Sequence, residues 1–418
     1  MPTPKKILVV VESINVEDSS GSKANVALIQ NLQKAGFEVL VYHYTRKKIQ
    51  LFGITCVDIK EKRWSALFFL SRLERYIRTF LKIKLNKPLE KVFGFSFTLF
   101  NDRNSIVDAL QEMEGFKPDL VLTLSKGGSF RPHHALLKMP ELHKKWMAYI
   151  HDPYPMHFYP KPYTWTEAGA RQKENFMKEV ALKAEFTAFP SKLLMEWMGS
   201  HFAPYQNKGV VIPHQLEPFE EGNDEKLPEY FNHLNFNLVH AGNLLWRRDP
   251  TGLILGFQNF LKANPGAVRD ARLIFLGGIN HYSSELSEFE KELPQFKVSP
   301  DYLPFKMVQA IQKRSSINII LEASSTISPF LPGKFPHCVS ADKPILLLGP
   351  YYSESRRLLG DDYLYWAEID EIDKIAGHIE NLYFQWKKDP TQLILNRPDL
   401  EAYLSVKYLK KTIESNIN

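Results

Sequence analysis

The sequence predicts an α/β protein made of two successive doubly wound domains, each with a parallel sheet. Short β-branched runs alternate with amphipathic segments in residues 7–213, and a second series of the same kind fills residues 238–413. Between the two series lies an acidic stretch, 217–235, that is interrupted by proline and glycine. We therefore predict a linker at 215–235 between two domains of similar type.

The first domain opens with a βαβ pattern. Ile7–Val11 is a continuous apolar run, as expected of a strand covered on both faces. A polar segment, Val16–Ser22, is predicted to be a loop, Ala24–Lys34 has helical spacing, and Val39–Tyr42 is the next strand. Such a unit implies parallel strands with a right-handed crossover. Further predicted strands of this domain are Ile54–Ile59, Asp119–Ser125, Trp146–Ile150, Phe186–Phe189 and Val210–Pro213.

The second domain repeats the alternation. Open parallel sheets bind ligands beyond the carboxyl ends of their strands, so residues just after the strands are the candidates for a site. The predicted strands are Leu238–Ala241, Arg272–Gly277, Ile317–Leu321 and Ile345–Leu348, and the predicted helices are Thr251–Ala263, Pro304–Arg314, Lys334–Ala341, Ile372–Trp386 and Leu400–Ile413.

Composition and missing motifs exclude several classes of function. The two cysteines, Cys56 and Cys338, cannot form a disulfide framework or a multi-cysteine metal site. No G-x-G-x-x-G follows the first strand, which weakens the interpretation as a dehydrogenase. No Walker A motif occurs, and without an H-E-x-x-H motif a catalytic metal has no obvious ligands. No apolar run approaches the roughly 18–20 residues of a membrane helix. We expect a cytoplasmic protein with no metal site.

Three segments of the second domain carry a resemblance to a known family. They are HAGN at 240–243 with RRDP at 247–250, ARLIFLGG at 271–278, and SPFLPGKF at 328–335 followed by ADKPIL at 341–346. IHDPYP at 150–155 and VIPH at 211–214 are weaker matches. Together they resemble glycosyltransferase family 4, whose members are retaining and have the GT-B fold.

The resemblance implies the domain arrangement of that fold. Two Rossmann-like domains would face a central cleft, with the C-terminal helix crossing back to the first domain. The expected acceptor-side domain is 1–214 together with about 397–418, and the expected nucleotide-sugar domain is 236–396.

The resemblance also implies a donor site in the second domain. Negative charge grows on the leaving diphosphate, and without a metal ion cations and helix N-termini must balance it. The expected catalytic residues are His151, Arg248 and Lys334. The expected donor is a UDP- or GDP-sugar, bound without metal or another cofactor by Gly242, Asn243, Arg247, Arg248, Glu322, Lys334, His337 and Ser353.

Two of these positions leave alternatives open. Relatives usually carry an acidic residue for the donor ribose where this chain has His337, which offers no bidentate carboxylate. Glu322, at the end of its strand, either substitutes for that acid or merely caps a loop. Ser353 either presents a helix N-terminus to phosphate or only caps that helix.

The acceptor side is expected in the first domain. His151 and Asp152 follow a strand, and in related enzymes a histidine at such a site contacts the transferred sugar. Gly21, Ser22 and Lys23 stand where the family has its acceptor-side glycine loop, and Lys23 is a candidate for an acceptor phosphate.

The basic charge is concentrated in one segment. Residues 46–91 hold thirteen Lys or Arg and four Asp or Glu, although the whole chain has a net charge of only +6. Within residues 63–91 an apolar stripe runs from Ala66 to Leu81 at helical spacing. This pattern predicts either peripheral contact with the anionic inner face of the membrane or packing on the first domain. No nucleic acid is expected, because the rest of the chain is net acidic.

The hypothesis is transfer of a sugar from a nucleotide sugar to a saccharide or lipid-linked acceptor with retention, in polysaccharide or glycan synthesis. A non-hydrolysing sugar-nucleotide epimerase is one alternative. A catalytically silent scaffold of the same fold is another, and His337 is the residue that keeps it open.

Overall fold

The computed structural model describes residues 4–162, 165–216, 227–278 and 281–417. The chain divides into two compact units. The first contains the chain up to Tyr159, the stretch from 163 to 217 and everything from Ser405 onward; the second contains Pro160–Pro162 and Pro218–Leu404. Residues 217–226 of the predicted linker lie outside the described residues.

The first unit is built on a seven-stranded parallel sheet in the order β3-β2-β1-β4-β5-β6-β7. The first strand lies at its centre, where Val9 is paired with Val41 of β2 and Leu122 of β4. The strands are β1 Lys6–Val11, β2 Glu38–His43, β3 Thr55–Asp58, β4 Leu120–Leu124, β5 Trp146–Tyr149, β6 Phe186–Phe189 and β7 Gly209–Val211.

Eight of the described helices, all in the N-terminal part of the chain, accompany this sheet. Its central strands are covered on both faces, since Leu8 and Val9 are fully buried in different apolar clusters. The helices are α1 Ser20–Lys34, α2 Ala66–Phe80, α3 Asn86–Phe93, α4 Phe97–Gln111, α5 Arg131–Leu136, α6 Ala170–Lys183, α7 Lys192–His201 and α8 Pro204–Asn207.

The second unit has a six-stranded parallel sheet in the order β10-β9-β8-β11-β13-β15, and a two-stranded sheet of β12 and β14. The strands are β8 Phe236–Ala241, β9 Ala271–Leu276, β10 Phe296–Val298, β11 Ile317–Leu321, β12 Ile327–Ser328, β13 Ile345–Leu348, β14 Tyr352–Ser353 and β15 Trp366–Ala367. The helices are α9 Thr251–Ala263, α10 Ser283–Glu292, α11 Phe305–Arg314, α12 Phe335–Ser340, α13 Glu354–Leu359, α14 Ile372–Lys388 and α15 Pro398–Tyr403.

The end of the chain returns to the first unit, as predicted. The last helix, α16 Val406–Ile417, buries Leu409 and Ile413 in the same apolar cluster as Val9 of β1. The predicted single helix over 400–413 is wrong, because the chain forms α15 and α16 with Leu404 and Ser405 between them. The crossing also begins later than residue 397, because Leu400 and Leu404 pack with Phe335 of the second unit.

Two further expectations need correction. Residues 20–22 are not loop: they form the first turn of α1, which Ser19 caps by accepting a hydrogen bond from the Ser22 N–H at 3.2 Å. The apolar stripe of α2 does not pack on the first unit, since Phe69, Leu73 and Phe80 are exposed. None of the described helices is long and apolar enough to cross a membrane.

The packing of α16 yields a stability prediction. Leu409→Ala removes a fully buried side chain and leaves a cavity, so we expect a loss of about 2–4 kcal/mol in the free energy of unfolding. Chemical denaturation followed by circular dichroism measures it. Lys411→Ala, on the exposed side of the same helix, is the control and should change little. Equal stabilities for the two variants would contradict the docking of α16 on the first sheet.

Candidate anion site in the second unit

The carboxyl edge of the second sheet has its topological switch point at β8. Neighbouring strands β9 and β11 lie on opposite sides of β8, so the loops that follow them diverge and leave room for a ligand. Four residues at this edge come directly after strands of the second sheet. They are Gly242 after β8, Gly277 after β9, Glu322 after β11 and Gly349 after β13.

Glycines allow the backbone to approach closely at this edge. Gly242 has φ +136°, and a Cβ built on it would lie 3.0 Å from Nζ of Lys334. Gly277 has φ +133°, and its Cβ would lie 2.9 Å from the carbonyl carbon of Gly242. Both the positive φ and the short distances require glycine. Gly242 therefore leaves space for the Lys334 amine, and its contact with a donor stays a prediction.

Lys334 is held against a buried histidine. Its Nζ lies 3.2 Å from Nε2 of His240, which is fully buried in β8. Burial and the neighbouring cations hold the pKa of His240 well below its ordinary value, so the imidazole is neutral and accepts a hydrogen bond from the amine. Burial, with the charge of Arg248, lowers the pKa of Lys334 to about 7. The sequence placed His240 in a family segment but did not indicate this contact.

The second cation of the site is Arg248. Its charge lowers the pKa of Lys334, His240 and Glu322, so its guanidinium lies near all three. Among the described residues, no carboxylate lies within ion-pair distance of Arg248 or Lys334. Within the described part of the chain, two cations thus share a half-buried site without an ion-paired carboxylate, which is the electrostatic arrangement of an anion-binding site.

Arg247 is placed differently. Its backbone has φ +77°, a left-handed conformation that is rare outside glycine, asparagine and aspartate. The guanidinium lies 4.2 Å from the centre of the Trp246 ring, and the carbonyl accepts the Ser324 N–H at 2.9 Å. Its Nε is buried without a hydrogen-bond partner. Arg247 and Arg248 therefore both remain candidates for contact with the donor.

Glu322 is a buried acid at the end of β11. The Ser355 hydroxyl donates to its Oε1 at 2.5 Å, and a Cβ on Gly349 would lie 3.0 Å from Oε2. Burial raises the pKa of Glu322 to about 7, while the hydroxyls of Ser355, Ser328 and Ser353 oppose that rise. The side chain is therefore partly protonated near neutral pH, which lets it donate as well as accept a hydrogen bond.

The remaining donor-side predictions fall around this cluster. Nδ1 of His337 lies 3.4 Å from Nε2 of Gln309, and its ring meets the edge of Phe305 at 4.9 Å. Ser353 caps α13, since its hydroxyl accepts the Arg356 N–H at 3.0 Å. Whether Ser353 also meets phosphate stays a prediction, as does the role of Asn243, which is exposed.

In the first unit, the predicted acceptor residues lie at the start of α1. A Cβ on Gly21 would lie 4.0 Å from the backbone nitrogen of Gly127, so this turn is close to the loop after β4. Ser22 is fully buried and its hydroxyl is 3.1 Å from that of Ser19. The Lys23 N–H donates to the Ser19 carbonyl as part of the cap.

A buried ion network beside this turn was not predicted. Glu12, directly after β1, pairs with Arg131 and accepts the Ser129 hydroxyl. Nε of Arg131 also donates to Asp102 at 2.6 Å, and Asp102 in turn pairs with Arg46 at 2.9 Å. A carboxylate immediately after a fully apolar strand was the available sequence signal, because a buried charge there needs a partner.

His151 and Asp152 follow β5, two strands from β1. The His151 ring lies 4.5 Å from Tyr149 and stacks at 6.2 Å from His214. Burial, with the two neighbouring histidines, lowers the pKa of His151 to about 3, so the ring is neutral. Its Nε2 is buried without a hydrogen-bond partner, which leaves one nitrogen able to contact a ligand.

Over the described ranges, no three His, Cys, Asp or Glu side chains are grouped so that they could hold a metal ion.

Comparison with known proteins shows the fold. No family model and no curated protein matches the chain. Solved structures do match over nearly the whole chain. One is the E. coli protein described as trehalose-6-phosphate bound with UDP-2-fluoro glucose, with TM-score 0.64 and 11% identity over 99% of both chains.

Two further matches are of the same quality. A UDP-forming α,α-trehalose-phosphate synthase from Burkholderia xenovorans, in complex with glucose-6-phosphate, has TM-score 0.64 and 7% identity over 99% of this chain and 100% of its own. A glycosyltransferase from Rickettsia africae has TM-score 0.61 and 12% identity over 99% and 98%. These similarities to solved structures show the fold of the chain. It is the GT-B fold, as predicted.

The glycine contact yields a prediction about the site. Gly242→Ala places a methyl group against the Lys334 amine in a strained backbone, so we expect a loss of about 1–3 kcal/mol in the free energy of unfolding. Gly333→Ala, one residue before Lys334, has open space around its Cβ and is the control. Denaturant unfolding of both variants measures the difference. A Gly242→Ala protein as stable as Gly333→Ala would contradict the close approach.

Proposed function

We propose that this protein is a hexosyltransferase that moves a sugar from a nucleoside-diphosphate sugar to a saccharide or lipid-linked acceptor, with retention of configuration. The observation that carries the proposal is the pair of cations, Lys334 and Arg248, at the switch point of the second sheet without a paired carboxylate among the described residues. The GT-B fold and the resemblance to glycosyltransferase family 4 also support a sugar transferase.

The proposed chemistry follows from the charge that develops during the reaction. As the glycosidic bond breaks, negative charge grows on the oxygen that joins the sugar to the β-phosphate. Lys334 and Arg248 would stabilise that charge, and the guanidinium of Arg248 would bind the diphosphate in bidentate fashion. The neutral His240 holds the Lys334 amine in place without competing as an anion.

Other residues have proposed roles in positioning the substrates. Glu322 would accept or donate hydrogen bonds to a donor hydroxyl, and His337 would do so in place of the usual acid. The unpartnered Nε2 of His151 would contact the transferred sugar, with Asp152 beside it. Gly21, Ser22 and Lys23 would meet the acceptor. We propose no metal ion or other cofactor.

The solved structures narrow the choice of donor to be tested first. One neighbour holds UDP-2-fluoro glucose and another is described as UDP-forming, so a UDP-sugar is the first donor to test and a GDP-sugar the second. We further propose that the protein works in the cytoplasm, at the inner face of the membrane, in polysaccharide or glycan synthesis.

The first experiment is a thermal-shift screen against UDP, GDP, ADP, TDP and CMP, with and without Mg²⁺. We expect one diphosphonucleotide to raise the melting temperature independently of Mg²⁺, since ligand at 100 times its dissociation constant adds about 2.7 kcal/mol. Lys334→Ala should remove most of this shift and of the turnover while leaving the unliganded protein folded. Lys291→Ala, an exposed lysine on α10, is the matched control.

The outcomes separate the alternatives. No shift from any nucleotide would favour the silent scaffold, and His337→Glu would then be the variant to test for regained binding. Binding accompanied by isomerised donor and no transfer would favour the epimerase. Unchanged turnover in Lys334→Ala would remove Lys334 from the proposed mechanism.

The lowered pKa of Lys334 predicts a pH dependence of diphosphate binding. The amine is protonated below about pH 7, and above it the protein must take up a proton before it can pair with the ligand. Affinity for the nucleoside diphosphate should therefore fall from pH 7 to 8.5, by up to tenfold for each pH unit. The phosphate groups do not titrate in this range, because their last pKa is near 6. Titration calorimetry at several pH values measures the slope.

Two variants assign that slope to a residue. Lys334→Arg keeps its charge throughout the range and should flatten the profile. Glu322→Gln removes the other group whose pKa is about 7, and any slope that it abolishes belongs to the carboxyl group. A slope that survives both substitutions would contradict the proposed titration.

A further inference from the structure

The helix α2 packs on the first unit with its polar side. Ser71 and Glu74 are buried, whereas Phe69 and Phe80 are 56% and 68% exposed. In a soluble protein an amphipathic helix normally does the reverse and buries its apolar stripe. The exposed apolar side of α2 therefore indicates that this surface contacts a partner.

Polar contacts fix the helix in this orientation. Ser65 caps α2 and donates its hydroxyl to Asn101 of α4 at 2.6 Å. The Lys62 N–H donates to Ser105 of α4 at 2.9 Å, and Arg72 pairs with Glu61 at 3.2 Å. Because both α4 partners are buried and satisfied, the outward direction of the apolar side is built into the packing.

The exposed apolar residues form a concentrated surface. Of 24 large hydrophobic residues exposed in the described part of the chain, ten lie between Trp64 and Phe93, on α2, α3 and the segments beside them. Single exposed hydrophobics are ordinary, but such a concentration marks an interaction site. This α2–α3 surface consists of Trp64, Phe69, Leu70, Leu73, Tyr76, Phe80, Leu81, Ile83, Val92 and Phe93.

The segment that forms the α2–α3 surface is also strongly basic. Residues 63–91 contain eight Lys or Arg but only two acids, Glu74 and Glu90. Glu74 is buried and Glu90 pairs with Lys173 of α6, so neither offsets the exposed charge fully. The exposed basic residues are Arg63, Arg75, Arg78, Lys82, Lys84, Lys87 and Lys91.

We infer that the α2–α3 surface docks on an anionic phospholipid bilayer. The helix would lie in the plane of the membrane, with Phe69, Leu73 and Phe80 among the acyl chains and the basic side chains at the level of the phosphates. The exposed aromatic residues of α2 and the exposed lysines of the segment that follows it, Lys82 and Lys84, fit that interface, where each basic residue contributes about 1 kcal/mol. This inference deepens the membrane location in the proposed function. Docking needs no nucleotide and no turnover, so its failure is distinguishable from a failure of the proposed sugar transfer.

The experiment is co-sedimentation of the full-length protein with large unilamellar vesicles. We expect strong binding to phosphatidylcholine vesicles that contain about 30% phosphatidylglycerol, at least tenfold weaker binding to pure phosphatidylcholine, and a loss of binding as salt rises. Phe69→Ser/Leu73→Ser should weaken binding at least tenfold. Lys82→Gln/Lys84→Gln should weaken it roughly thirtyfold at low salt.

Matched controls keep the test specific. Tyr302→Ser/Leu364→Ser removes two exposed apolar residues of the second unit, and Lys407→Gln/Lys411→Gln removes two exposed charges of α16. Both should bind vesicles like the wild type. All substitutions are at exposed positions, and an unchanged melting curve confirms folding.

Three results would overturn the inference. They are no binding to the anionic vesicles, equal binding by the Phe69→Ser/Leu73→Ser variant, or equal loss in the control variants. A concentration-dependent dimer that the same double substitution abolishes, without vesicle binding, would instead make the α2–α3 surface a contact between copies of this chain.

Discussion

The site of the second unit depends on one electrostatic constraint: the amine of Lys334 is half-buried beside a neutral histidine and has no carboxylate partner among the described residues. A cation removed from water without a counter-ion is destabilised, and its lowered pKa expresses that cost. The positive φ values of Gly242 and Gly277 allow the backbone to come close enough to hold the amine there. An anionic ligand would relieve the cost, so the energy lost in folding becomes available for binding.

In the first unit, by contrast, the buried charges are compensated by ion pairs with one another. Its charges at the carboxyl edge of the sheet are paired with one another, from Glu12 through Arg131 and Asp102 to Arg46. Breaking one member would leave a buried charge uncompensated, so the network fixes the loop after β4 beside the start of α1. The charges of this network are therefore balanced within the first unit, whereas Lys334 and Arg248 of the second unit have no ion-paired carboxylate among the described residues.

The basic segment shows how packing can reverse an expectation based on amphipathicity. The stripe of α2 was compatible with membrane contact or with packing, and hydrophobicity alone cannot separate them. In the fold, Ser65 and Lys62 attach the start of the helix to α4 by hydrogen bonds, and Ser71 is buried whereas Phe69 is exposed. The cost of exposing the apolar side is then recovered only when a partner covers it.

The sequence by itself determined the alternation of strands and helices, the two parallel sheets and the strand ends at which the candidate site lies. It could do so because hydrophobic periodicity and runs of β-branched residues are local properties of the chain. It placed Lys334, Arg248 and Glu322 at one edge of one sheet. It did not reveal the contact of Lys334 with His240, the Glu12 network or the outward side of α2. Those depend on distances between residues far apart in the chain, which only tertiary packing sets, and burial then fixed the protonation of Lys334 and Glu322.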